Sequence, residues 1–156
     1  MWYRDVPALQ RDDLLRRICQ ELQISAPKHE EIEGHYKAVA EWLADDSGEL
    51  AGANPKIYGQ GSLVLGTLNK PWGRNDYDLD SVCELALRWT QFDAAKVLSA
   101  VELRIRKHGT YGPMVQRKNR CIRLNYANSF HLDILPACPV SLGIEGCRGR
   151  KILTGR

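Results

Sequence analysis

The stretch Tyr77-Asp78-Leu79-Asp80-Ser81-Val82-Cys83-Glu84-Leu85 alternates polar and apolar side chains, the period of a β-strand with one wet face and one packed face. Asp78 and Asp80 stand two apart, so their carboxylates project from one face while Leu79 points to the core. Two like charges this close repel each other, and the usual relief is a bound divalent cation. Hard carboxylate oxygens favour Mg²⁺ or Mn²⁺ over zinc. Solvent-facing acids on an edge strand would show the same spacing, so the pair needs support from elsewhere in the chain.

Downstream, Ser129 to Leu135 alternates in the same way, and Pro136 is expected to end that strand. Asp133 sits inside it between Leu132 and Ile134, an odd place for an acid unless it faces a polar site. If the two strands are neighbours, three carboxylates converge on a volume that suits two metal ions about 3.5–4 Å apart, an arrangement that performs phosphoryl transfer. Upstream lies Gly59-Gln60-Gly61-Ser62-Leu63-Val64-Leu65-Gly66-Thr67. A glycine turn followed by Ser62 as N-cap of a short helix would present backbone N–H groups to an anion. It is not a Walker loop, because no lysine follows Gly66, and Val64 occupies the third glycine position of a dinucleotide fingerprint. An ordinary tight turn has the same composition.

The remaining elements follow from periodicity. Leu14, Ile18 and Leu22, flanked by Leu15 and Cys19, predict a helix over about Val6 to Leu22. Ile32, Tyr36, Val39 and Leu43 repeat the pattern within Pro27 to Asp46, with Glu30, Glu31 and Glu33 in the early turns. Breakers between Asp46 and Pro55 turn the chain before a short extended piece at Lys56 to Tyr58. Thr90-Gln91-Phe92-Asp93 has the form of a capping box, and Ala94, Val97, Leu98, Val101 and Ile105 continue as a helix ending at His108-Gly109. Cys121 to Tyr126 alternates, and Ala127-Asn128 is short enough to fold it back on the Asp133 strand as a hairpin. After Pro139 no strong pattern remains.

At 156 residues, 44% of them hydrophobic, the chain suits one domain with a core that needs no staples. Its cysteines (Cys19, Cys83, Cys121, Cys138 and Cys147) are scattered, without the spacing of a disulfide framework or a zinc finger. No apolar run is long enough to cross a bilayer and no signal peptide opens the chain, so a soluble, cytoplasmic protein without a membrane partner is expected. The net charge of +3 conceals an asymmetry: from Leu103 to Leu132 there is no acid, while Arg104, Arg106, Lys107, Arg117, Lys118, Arg120 and Arg123 are basic. Either an anion sits near that segment or it is a solvated basic face. Trp42, Trp72 and Trp89 are open to two readings, base stacking or packing. His131 shares a strand face with Asp133 and would either orient a carboxylate or serve structurally.

Taken together, Gly61-Ser62, Tyr77-Asp78-Leu79-Asp80-Ser81-Val82-Cys83 and His131-Leu132-Asp133-Ile134-Leu135-Pro136-Ala137 resemble the polymerase-beta-like nucleotidyltransferase superfamily. Arg120-Cys121-Ile122-Arg123-Leu124-Asn125-Tyr126-Ala127 sharpens the likeness to its cGAS/DncV-like branch, the CD-NTases (SMODS type) of bacterial CBASS anti-phage systems. The likeness spans about Ile57 to Ala137. It implies an α/β (α+β) fold, a mixed twisted sheet with flanking helices, over residues 1–156 as a catalytic domain. It further implies that Gly61 and Ser62 hold the donor triphosphate, that Asp78, Asp80 and Asp133 bind Mg²⁺ (or Mn²⁺), and that Asp133 activates the acceptor hydroxyl.

ATP or another nucleoside triphosphate would then be donor and acceptor, with a cyclic oligonucleotide messenger as product and nucleic acid not the main partner. Such synthases continue into a helical second half, so a truncated domain, or one completed by a separate half or an activating protein, is expected here. Transfer to a protein, RNA or small-molecule acceptor, and a nucleotide-binding module without turnover, are the other readings.

Overall fold

The computed structural model describes residues 6–45, 48, 50–73, 75–88, 93–127, 129–141 and 148–152. Two helices come first, α1 (Val6–Leu22) and α2 (Ala26–Ala44), followed by strands β1 (Lys56–Gln60) and β2 (Tyr77–Glu84). Helix α3 (Ala94–Arg106) precedes β3 (Val115–Arg117), β4 (Ile122–Tyr126), β5 (Phe130–Ser141) and β6 (Arg148–Ile152). The strands form one mixed sheet in the order β1-β2-β5-β4-β3, with β6 pairing the far end of β5. The β2·β5 pair is parallel and every other pair is antiparallel.

Strand β2 is flanked on both sides, by β1 and β5, so the acid pair does not lie on an edge strand. Its alternation sorts Leu79, Ser81 and Cys83 onto a fully packed face. The neighbouring strands add Ile122, Leu124, Phe130, Leu132 and Ile134 to the same layer. Against it pack the stripes read in the sequence: Ile32, Tyr36, Val39 and Leu43 from α2, and Val97, Leu98, Val101 and Ile105 from α3. The helix α1 also forms over the expected span, yet Leu9, Leu14, Leu15 and Ile18 on its stripe are exposed. Its C-terminus is tied down where Lys70 N–H donates to the Leu22 carbonyl at 2.7 Å. Among the described residues no helix is long and apolar enough to cross a membrane.

Three local expectations need correction. Pro136 does not end β5, which runs on to Ser141. The carbonyls of Ser129 and Ala137 both accept from the β2 side, so alternate residues of β5, Pro136 among them, present their backbone polar groups to the opposite edge. There β4 has already stopped, at Ile122 opposite Ile134, so the absent N–H takes no bond from the β4 ladder. The N-cap of α3 is Asp93 itself, whose Oδ1 accepts from Ala95 N–H at 2.7 Å and Lys96 N–H at 3.2 Å. Thr90, the expected first residue of a capping box, lies outside the described residues. Ser62 does not cap a helix, because Gly61 to Gly66 form only hydrogen-bonded turns.

The basic segment is divided rather than presented as one face. Arg104 is buried and donates from Nε (3.2 Å) and Nη2 (2.8 Å) to the Trp42 carbonyl near the end of α2. Its guanidinium lies 3.9 Å from the Trp42 ring centroid, and Trp42 Nε1 donates back to the Arg104 carbonyl at 3.0 Å. Arg106 and Arg117 both bond Glu102. Trp42 is therefore a packing residue joining α2 to α3. Truncating Arg104→Ala should destabilise the fold by about 2–3 kcal/mol, since it strips charged donors from a partly buried carbonyl. Thermal unfolding of the two proteins checks this, and equal melting temperatures would refute it.

Candidate functional site

Register brings the predicted acids together. The pairing of β2 with β5 sets Asp78 opposite His131 and Asp80 opposite Asp133, and strands pair about 4.8 Å apart, so all these side chains share one face. Two buried or half-buried hydroxyls fix the backbone beneath them. Ser81 Oγ donates to the Asp133 carbonyl and Tyr36 Oη, reaching from α2, donates to the Asp80 carbonyl, each at 3.0 Å.

Gly61 follows directly on β1, whose last residue, Gln60, pairs with Asp80. It has φ +68°, and a Cβ there would stand 2.9 Å from Asp80 Oδ2, so only glycine lets the backbone lie against this carboxylate. Within the turn, Leu65, Gly66 and Thr67 N–H groups donate to the carbonyls of Gly61, Leu63 and Ser62. Donation to any ligand then falls to the earlier residues, Gly61 and Ser62 among them. An open cavity of about 840 Å³ lies over this region, bordered by Gln60, Gly61, Leu65, Asp80, Val82 and Leu135.

The residue that sequence reasoning passed over is Arg123. Residues equally far from position 128 pair across the β4–β5 hairpin, which puts Arg123 opposite Asp133. Its Nε and Nη2 donate to the two carboxylate oxygens of Asp133 at 2.6 and 2.8 Å, and Nη2 also reaches Asp78 Oδ1 at 3.0 Å. This fork alters the expectation of an open carboxylate triad. Among the described residues no three acids, histidines or cysteines stand grouped as an ion would need. The chemistry of the donor set suits a hard divalent cation, but two of its three carboxylates are engaged by a guanidinium.

Burial, reinforced by the charges of Asp78 and Asp133, holds the Asp80 carboxyl above its ordinary pKa, with Arg123 opposing the shift. The bond to Asp133 raises the guanidinium's own pKa further. His131 turns to Asp76 rather than to Asp133, its Nε2 lying 3.5 Å from Asp76 Oδ2. Trp72 is exposed on the loop before β2, Lys118 and Arg120 lie in the β3–β4 turn, and Trp89 falls outside the described residues.

The fold is that of a nucleotidyltransferase domain. A family model of the cyclic GMP-AMP synthase DncV-like nucleotidyltransferase domain matches residues 55–136, and the chain belongs to that family. It is 34% identical over 131 residues to a c-di-GMP synthase of Roseivirga ehrenbergii, covering 84% of this chain and 35% of that protein. To the cyclic dinucleotide synthase CdnG of Bradyrhizobium diazoefficiens it is 28% identical over 144 residues, covering 84% of this chain and 34% of the relative. The chain thus spans about a third of the length of the curated relatives it matches. Among solved structures, Bradyrhizobium diazoefficiens CdnG in complex with GTP has the same fold, with a TM-score of 0.69 at 24% identity over 86% of this chain and 41% of that one. Vibrio cholerae DncV, a cyclic AMP-GMP synthase, gives 0.66 at 11% identity over 87% and 52%.

Two outcomes follow from this geometry. Gly61→Ala combines a left-handed backbone with a collision against Asp80 and should cost about 1–3 kcal/mol, read by thermal unfolding; an unchanged melting point would refute the close approach. An acid with a raised folded-state pKa loses stability as pH climbs from its unfolded value through its folded one. Metal-free Asp80→Asn should therefore melt above wild type at pH 7, with the gap closing below about pH 3. A gap that is constant with pH would contradict the shift.

Proposed function

We propose that this chain is the catalytic domain of a Mg²⁺- or Mn²⁺-dependent nucleotidyltransferase that joins nucleoside triphosphates into a cyclic dinucleotide signal in bacterial anti-phage defence. The observation that carries the reading is the pairing of Asp80 with Asp133, which gathers Asp78, Asp80 and Asp133 on one face beside the Gly61 turn. The family and the cyclic dinucleotide synthases among the relatives favour it too. Two observations support the assignment as one part of a longer enzyme. The chain spans about a third of those relatives, and α1 turns Leu9, Leu14, Leu15 and Ile18 outward, an apolar stripe suited to further protein.

Asp78 and Asp80 would hold the divalent ions together with Asp133, and bound ions would supply charge neutralisation at the triphosphate and a lower pKa for the attacking hydroxyl. Gly61 and Ser62 would seat the donor triphosphate by backbone donation. Asp133, innermost of the three on the sheet, would orient the acceptor hydroxyl and receive its proton. The hydroxyl oxygen bonds to the donor's α-phosphorus, the bond from that phosphorus to the bridging oxygen breaks, and pyrophosphate leaves. Repeating the transfer within the linear product closes the ring.

Calorimetric titration of Mg²⁺·ATP and Mg²⁺·GTP into wild type and the Asp78→Ala/Asp80→Ala variant tests the site. Binding should weaken at least about tenfold in the variant, and equal binding would overturn the assignment. Where pyrophosphate release is measurable, Asp80→Asn should lower it by about a hundredfold or more while leaving the fold intact.

A further inference from the structure

We infer that Arg123 is the resident counter-charge of the acid cluster, a positioning residue that occupies Asp133 and Asp78 in the metal-free protein and sets the affinity of the site for divalent ions. The inference rests on the reading of the three aspartates as a metal site and adds a regulator of it. Its basis is the fork itself. One guanidinium spans two strands, bonding both oxygens of Asp133 and one of Asp78, and Asp80 lies between these carboxylates in the register. The side chains of Arg123 and Asp133 are only 21% and 13% exposed, so solvent screens this pair weakly, whereas Asp78 is 66% exposed and its bond is the easier one to exchange.

The competition has a definite sign. With Arg123 the cluster carries three negative charges and one positive; without it, three negative charges stand unrelieved. A divalent ion about 5 Å from the guanidinium is repelled enough, even with the full screening of water, to cost about tenfold in affinity. Opposing this, the fork preorders the Asp133 carboxylate, but a side chain this short has little rotamer freedom to lose. The charge effect wins, and loss of Arg123 tightens ion binding. The same fork relieves the repulsion between like charges gathered on neighbouring strands, because one guanidinium bonds carboxylates of both. It also gives part of the basic stretch a task that sequence alone left between an anion site and a solvated face.

Mn²⁺ binding to the protein alone, followed by calorimetry or by the electron paramagnetic resonance of free Mn²⁺, separates the outcomes. Arg123→Gln should bind Mn²⁺ about tenfold more tightly than wild type, and Arg123→Lys, which keeps the charge and loses the fork, should stay within about threefold of wild type. A merely structural arginine would weaken binding in both variants, and that result would overturn the inference. A measurement on wild type guards against a variant that does not fold: Mg²⁺ should shift or broaden the Arg123 Nε–Hε resonance while leaving that of Arg117, held by Glu102, in place. An unmoved Arg123 signal in a protein whose Mn²⁺ binding is lost in Asp78→Ala/Asp80→Ala overturns this inference alone. Equal Mn²⁺ binding by wild type and that double variant overturns the metal-site reading on which it rests.

Discussion

The parallel, in-register pairing of β2 with β5 is the constraint on which the rest of the molecule depends. Because side chains alternate along a strand, a slip of one residue would turn Asp133 into the core and Leu132 onto the wet face. That slip is opposed from both sides of the sheet. Leu79, Cys83, Leu132 and Ile134 are packed under α2 and α3, and the hydroxyls of Ser81 and Tyr36 bond the carbonyls of Asp133 and Asp80 themselves. The hydrophobic core thus aims the acids, and the polar face inherits a geometry it would not choose on electrostatic grounds.

The cost of that geometry is visible in the charges. Asp80 is half-buried between two other carboxylates, and its pKa rises accordingly. Arg123 relieves part of the repulsion from the neighbouring hairpin, and Gly61 gives the β1 turn a close approach that any side chain would block. Fold and site are coupled here in both directions. The register creates the acid cluster, and the cluster requires a cation, either the guanidinium or an ion, to sit comfortably on the sheet.

Much of this was legible in the sequence where periodicity carries the information. The stripes of α2 and α3 and the alternation of β2, β4 and β5 are all period signals, and they place Asp78, Asp80 and Asp133 on wet faces before any strand order is known. Strands β3 and β6 were not legible. β3 is a three-residue segment, and the stretch holding β6 carries no alternating pattern. Pro136 misled because a proline's effect depends on which edge its nitrogen faces, a property of pairing rather than of composition. For Trp42 and Arg104 the sequence left two readings open, and only tertiary packing decides between them, since each is satisfied by the other inside the fold. Arg123 was hidden in a run of bases, and counting outward from the expected two-residue turn, Ala127-Asn128, sets it opposite Leu132, whereas the observed register pairs it with Asp133.

Whether the acids on β2 and β5 form one divalent-ion site is tested most directly by anomalous X-ray diffraction from crystals soaked in Mn²⁺. An anomalous peak is expected within coordination distance, about 2.0–2.3 Å, of carboxylate oxygens from both strands, Asp80 and Asp133 among them. No peak at this face, or Mn²⁺ held by residues elsewhere in the chain, would contradict it.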